Sequence, residues 1–143
     1  MNTTTLLIIA ATGLALGGCN KAENPADVRQ DVAEAQAEGN SDVADARSEA
    51  QKDSIDAEAD VTKAVANHDI NDAIGESNEA NKVAAEGNAK IQLAQAEAAQ
   101  KVATEKCEAV GGEAQKDCKA RANTDLDNAR RYAEVSREAT RER

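Results

Sequence analysis

Three cysteines, one histidine and a dense set of carboxylates are the groups in this chain with the most chemistry to offer. Cys107 and Cys118 are separated by ten residues, with Gly111-Gly112 near the midpoint. On one unbroken helix they would share a face but lie about 16 Å apart, at about 1.5 Å per residue. A disulfide needs Cα atoms within roughly 7 Å, so a bridge within the chain requires a reversal. The glycine pair is where a reversal is sterically easiest. The arrangement that follows is two antiparallel helices, one ending near Val110 and the other starting near Glu113, stapled across a tight turn. An intermolecular bridge, a redox couple and a metal site are the other chemistries open to the pair. A redox couple usually has Cys-x-x-Cys spacing. A zinc site would need about two further ligands, and His68 is distant in sequence.

The third cysteine, Cys19, closes the oily run "LLIIAATGLALGGCN". A membrane-spanning helix needs roughly 20 apolar residues, and this run is too short. Its length is that of a secretory signal core. A peptidase that admits an extended chain favours small residues before its cut, and a thiol can carry a lipid. Leu16-Gly17-Gly18-Cys19 resembles the lipobox of bacterial lipoproteins, although Met1 to Thr5 carries none of the basic residues usual at such a start. The resemblance implies recognition through Leu16, Gly17 and Gly18, cleavage before Cys19, and acyl chains on Cys19 that hold the chain to a membrane. Asn20 resembles the residue that follows the cysteine in lipoproteins released to the outer membrane, facing the periplasm. The alternative is an ordinary secretory signal with a chance cysteine.

Catalytic machinery is not legible. His68 sits in Val65-Ala66-Asn67-His68-Asp69 with nothing to mark a triad, and reads as an exposed helical residue. No glycine-rich phosphate loop follows a strand, and carboxylates on an Ala/Glu-rich helix form a solvated face. A catalytic carboxylate needs burial to tune it. No enzyme activity, cofactor or metal is expected.

The elements that would position these groups are helices. After Cys19 the chain has fifteen Val, Ile and Leu, no Phe or Trp and one Tyr. That is a composition close to disordered chains, but alanine, the best helix former, is abundant. Long, thin helices with weak tertiary packing reconcile the two. Asn24-Pro25 reads as a helix start, with Asp27 at the positive end of the dipole. Apolar and small residues then recur at Val28, Val32, Ala35, Gly39, Val43, Ala46, Ala50, Ser54, Ala57, Val61 and Val65. The period is eleven residues in three turns, which favours a nearly straight or slightly right-handed assembly. "AEGN" occurs at 37–40 and again at 85–88. Val43, Ala46 and Glu49 match Ile91, Ala94 and Glu97 at the same offset, as in a worn duplication. Glu86–Lys90, Glu97–Lys101 and Asp127–Arg131 have the i,i+4 order that supports an exposed helix.

The expected fold is therefore all-α, elongated, partly disordered and weak in core. Residues 1–18 form a signal peptide and 19–25 a tether. Residues 26–105 form an Ala/acidic helical region with breaks near 39, 75 and 87, and 106–143 form the stapled hairpin. The segment Lys106 to Ala122 resembles small exported Ala-rich proteobacterial proteins with paired cysteines around a glycine turn, a group with no established activity.

Charge bounds the partners. The net charge is −10, and with almost no aromatics this excludes nucleic acid. From Lys119 onward the chain is net basic, which suits anionic lipid, wall polymer or an acidic partner, or simply cations at a helix C-terminus. The end, Arg141-Glu142-Arg143, lacks the terminal lysine by which some helical lipoproteins join peptidoglycan. The expected role is that of a lipid-anchored envelope spacer or binding helix, with the membrane and an envelope protein or cell-wall partner as its contacts. The alternative is a stress protectant, because eleven-residue Ala- and charge-rich repeats resemble late-embryogenesis-abundant proteins.

Overall fold

A computed structural model describes residues 21–141. They form three α-helices, α1 (Pro25–Ala66), α2 (Ile70–Cys107) and α3 (Gly112–Arg141), and no strand. The fold is all-α. The lipobox positions Leu16, Gly17, Gly18 and Cys19 lie outside the described residues.

α1 begins as its sequence dictates. Asn24 Oδ1 accepts from the amide of Ala26 at 3.0 Å, with Pro25 opening the first turn and Asp27 beside the free amides. The helix then runs straight through Gly39, and α2 runs through Gly75 and Gly87. None of these three glycines is a break, contrary to the expectation from composition. Two of them sit where the other helix presses closest. A Cβ built on Gly39 would lie 2.6 Å from Ala98 Cβ, and one on Gly87 would lie 2.9 Å from Ala50 Cβ. The contacts are reciprocal: each helix carries a glycine and, eleven residues on, the alanine that receives its partner's glycine. The repeated "AEGN" thus marks the two halves of an antiparallel hairpin. A glycine inside a helix costs about 1 kcal/mol relative to alanine, which the close approach of two backbones offsets.

The real break is Asn67-His68-Asp69. His68 has φ 59°. Its amide donates to Val65 O at 3.1 Å, and the amide of Asp69 donates to Ala64 O at 3.2 Å. This is a Schellman motif with histidine in the left-handed position that glycine usually takes. His68 is therefore a turn residue rather than a helical one. Asp69 starts α2 by accepting from the amide of Asp72 at 3.0 Å. Replacing His68 by glycine removes the left-handed strain and is expected to stabilise the chain by about 1 kcal/mol, read as a higher thermal midpoint. A lower midpoint would mean that the imidazole itself holds the turn.

The eleven-residue stripe is the packing face of α1. Every stripe position from Val28 to Val61 is buried or half-buried, and only Val65 is exposed. Among the described residues the buried apolar ones are Val28, six alanines and Cys107, so contact comes from proximity of backbones rather than from large side chains. α2 is the middle helix. It packs on α1 along one side and on α3 along another, whereas no Cα atom of α1 lies within 8 Å of α3. The C-terminal hairpin is thus not a separate unit, because its first arm is the whole of α2. That arm ends at Cys107, before Val110, and Gly112 with φ 65° carries the reversal into α3.

Candidate interaction surface

The molecule has two unlike ends. At one, the chain enters and α2 turns into α3. Cys107 and Cys118 meet there as a disulfide with Cα atoms 5.7 Å apart, and Cys107 is fully buried. Glu108 gathers the end together, accepting from Gln115 and pairing with Lys119. The amide of Glu23, just ahead of α1, donates to the carbonyl of Glu108 at 2.9 Å. The segment that leads toward Cys19 is therefore fastened to the stapled end.

Along the shaft the charges follow the same eleven-residue step. Lys90 reaches Glu49 at 2.7 Å and Asp53 at 3.6 Å, and Lys101 reaches Asp42 at 2.9 Å and Glu38 at 3.8 Å. On its other flank α2 presents Glu86 and Glu97, and its capping residue Glu108 follows at the same step of eleven; these meet Arg137, Arg130 and Lys119 of α3. The middle helix thus offers lysine to α1 and glutamate to α3. Of the pairs read from sequence as i,i+4 neighbours, Glu86–Lys90 and Glu97–Lys101 instead reach across to different helices, whereas Asp127 and Arg131 find Arg130 and Asn128 on their own helix. Three of the seven basic residues of α3, Lys119, Arg130 and Arg137, are turned onto carboxylates across the seam, so α3 supplies less free positive surface than its composition suggests.

Pairing shifts Glu49, Lys90 and Lys101 from their ordinary values. The hydrogen bond and charge of Lys90 hold Glu49 below its ordinary 4.5, and the bond to Glu49 lifts Lys90 above its ordinary 10.5. The bond to Asp42 lifts Lys101 likewise. A raised lysine stabilises fully below its unfolded value and loses that contribution as pH climbs through the folded one. A lowered carboxylate stabilises above its unfolded value and loses it as pH falls through the folded one. The stability difference between the parent and a Lys90→Met/Lys101→Met variant is therefore expected to be largest across neutral pH. It should shrink below about pH 4 and above about pH 10.5. Denaturant midpoints across pH check this, and a difference that stays flat would assign the loss to packing of the lysine stems. All four groups are solvent-exposed, so the contribution is modest and weakens with salt.

The other end is the turn between α1 and α2. The last α3 residues seen against α2 are Arg137, which meets Glu86, and Thr140, which lies by Val83. Among the described residues, none of α3 is seen against the hairpin beyond Val83. Here Val61 and Val65 of α1 face Ile70, Ala73 and Ile74 of α2 across a groove of about 650 Å³ around the turn. Comparison with protein-family models, with curated proteins and with solved structures finds no match to this chain.

Of the residues singled out in the sequence, the structure brings together Cys107 and Cys118 and leaves His68 at the far turn. Among the described residues no group of histidine, cysteine and carboxylate side chains could hold a metal ion, and no helix is long and apolar enough to cross a membrane. The groove has a countable signal in the sequence. Five of the fifteen Val, Ile and Leu after Cys19 lie between Ile55 and Ile74.

Proposed function

We infer that the mature chain is a lipid-anchored envelope protein that works as a spacer, carrying an interaction surface at a set distance from a bilayer. The observation that supports this is the polarity of the rod. The Glu23 segment is tied to the stapled end, four residues after Cys19, whereas the apolar groove lies at the opposite end. The 42 residues of α1 separate the two by about 60 Å, at about 1.5 Å per residue. A diacylglyceryl group on Cys19 with a further acyl chain on its amino group would hold such a rod firmly, since one chain alone binds marginally. The outer membrane, with the rod in the periplasm, fits Asn20. No step of catalysis is proposed.

Intact-mass analysis of the protein from its native host is the direct test. A chain that starts at Cys19 and carries the mass of two or three acyl groups supports the reading. A free thiol at Cys19 or an uncut leader removes it. Crosslinking in intact cells then identifies what the rod touches. The protectant reading draws on the same eleven-residue period, but the seating of Gly39 on Ala98 and Gly87 on Ala50 favours the spacer. Circular dichroism separates them: cooperative loss of helix on heating belongs to a packed rod, and a coil that gains helix only on drying belongs to a protectant.

A further inference from the structure

We propose that the chain pairs with a second copy of itself through the broad side of the molecule that faces away from its salt bridges. The pairing goes beyond the role inferred above and does not depend on whether Cys19 is acylated.

The first observation is how charge is divided. α1 and α3 lie on separate flanks of α2 and do not meet, so α2 keeps two open sides. One side carries the cross-helix pairs of Glu86, Lys90, Glu97 and Lys101. At about 100° per residue, ten of the eleven carboxylates of α1 turn to that side of the Gly39–Ala50 contact line, and only Glu58 turns to the other. α2 is more one-sided still. None of its nine charged residues from Asp72 to Glu105 reaches the second side. That side is built from Ser77, Asn81, Asn88, Gln92, Ala99 and Ala103, at alternating steps of four and seven, and all but Ala103 are exposed. The second observation is where the uncovered large apolar groups lie. Ile55, Val65, Ile70, Ile74, Tyr132 and Val135 are exposed, and the same helical geometry turns each of them to the uncharged side. Tyr132 and Val135, for instance, stand two residues from Arg130 and Arg137, which face the charged side. Val110, in the turn between α2 and α3, is the exception. Apolar groups gathered on one side among uncharged polar ones are the usual mark of an interaction site.

What points to a second copy is self-complementarity. A two-fold interface sets each residue on its axis against itself. A charge so placed repels its twin, whereas an amide is both donor and acceptor and bonds its twin. The axis runs along α2, so Asn88 meets Asn88 and Gln92 meets Gln92, a register device of the kind an asparagine supplies in coiled coils. α1 of each copy then covers α3 of the other. Ala50 sits by Gly87 and Arg137 by Glu86, so Arg47 comes level with Tyr132 of the second copy. Arg47 meets no carboxylate among the described residues, and a guanidinium over an aromatic ring is favourable. The acidic side of α1 stays outside on both copies, as two chains of net charge −10 require. A strip about 50 Å long and about 20 Å wide covers about 1,000 Å² per copy, above the roughly 800 Å² of a standard stable interface. A bilayer is the poorer occupant, because it would leave these amides without partners.

The test uses the full chain carrying Cys19→Ser, so that acylation plays no part in the outcome. Sedimentation should show a dimer. Gln92→Glu and Gln92→Lys should each weaken it about tenfold or more, and an equimolar mixture of the two should restore it as a heterodimer. Under mild oxidation, Asn88→Cys and Ala99→Cys should each link to its own twin. Asp45→Cys, on the carboxylate side of α1, should stay single. All four positions are exposed, so the variants should keep the parent circular dichroism. A monomer at every concentration, a dimer indifferent to charge at Gln92, or linkage as ready at Asp45 as at Asn88 would overturn the proposal. Linkage of Asn88→Cys to Ala99→Cys, with neither linking to itself, would reject the axis along α2. A monomer that binds vesicles of anionic lipid, and loses them on Arg47→Glu, would overturn the proposal by assigning this side to a membrane.

Discussion

Gly39→Leu is expected to pry α1 away from α2 and to lower stability by about 2–3 kcal/mol, the upper range for overpacking a tight contact. The reason is what stands in the way. The first added atom would lie 2.6 Å from Ala98 Cβ and 3.1 Å from its Cα. Neither is the end of a flexible side chain, so the two backbones must move apart. That movement loosens Ala35 and Ala50 on α1, which are buried only because the helices are close. The decisive comparison is the smaller change. In an isolated helix glycine to alanine stabilises by about 1 kcal/mol. At Gly75, where an added Cβ meets nothing within 4 Å, Gly75→Ala should show about that gain. At Gly39 the same substitution should destabilise, and Gly87→Ala should follow it more mildly, with Ala50 Cβ at 2.9 Å. Chemical denaturation of the set checks the sign. A stabilising Gly39→Ala would mean that the hairpin is not closely packed.

Opening the disulfide should have an effect of similar size but a different reach. Closing a loop of this length contributes about 3 kcal/mol in the chain-entropy account. The α2–α3 seam has little else to hold it, since its buried residues are Ala89, Cys107, Gln115, Ala122 and Ala133. Cys107→Ser, and separately a Cys107→Ala/Cys118→Ala pair that avoids burying a hydroxyl, should free α3 while leaving the α1–α2 hairpin helical. Hydrogen exchange is the readout: amides from Glu113 to Thr140 should lose protection and those around Ala50 should not. Reductant should bring the parent to the same state and leave the variants unmoved. Equal protection of α3 in parent and variant, in both buffers, would show that the seam stands without its staple.

Much of this architecture is written in local sequence. The Asn24-Pro25 start, the stripe from Val28 to Val61 and the reversal between Cys107 and Cys118 all depend on neighbours within a few turns. What misled was the meaning of glycine. Gly39 and Gly87 look like helix ends, because the same residue type serves a left-handed turn and a close helix contact, and the contact partner of Gly39 is 59 residues away. The turn itself was concealed by His68, an unusual occupant of a left-handed position, although Asn67 and Asp69 on either side are turn and cap formers. α3 hid a second rhythm. Gln115, Ala122, Ala129 and Ser136, with Lys119, Leu126, Ala133 and Thr140, are buried or half-buried at seven-residue steps, a period closer to 3.5 than that of α1. Small and polar occupants made it invisible to a search for apolar residues. The distal groove needed the fold, because Val65 and Ile70 flank the turn and only the turn sets them side by side.

The paired steps of eleven carry one more implication. Gly39 with Ala98 and Gly87 with Ala50 repeat one contact, and Lys90 and Lys101 repeat one charge pattern, at identical intervals. Each interval is three whole turns, so removing or adding eleven residues in both arms at once returns every facing side chain to an equivalent neighbour. Arm length is thereby quantised in increments of about 16 Å, at about 1.5 Å per residue, and any intermediate cut rotates the contact side away from its partner. The molecule behaves as a ruler with notches, whose reach can be reset by whole notches without redesigning either extremity.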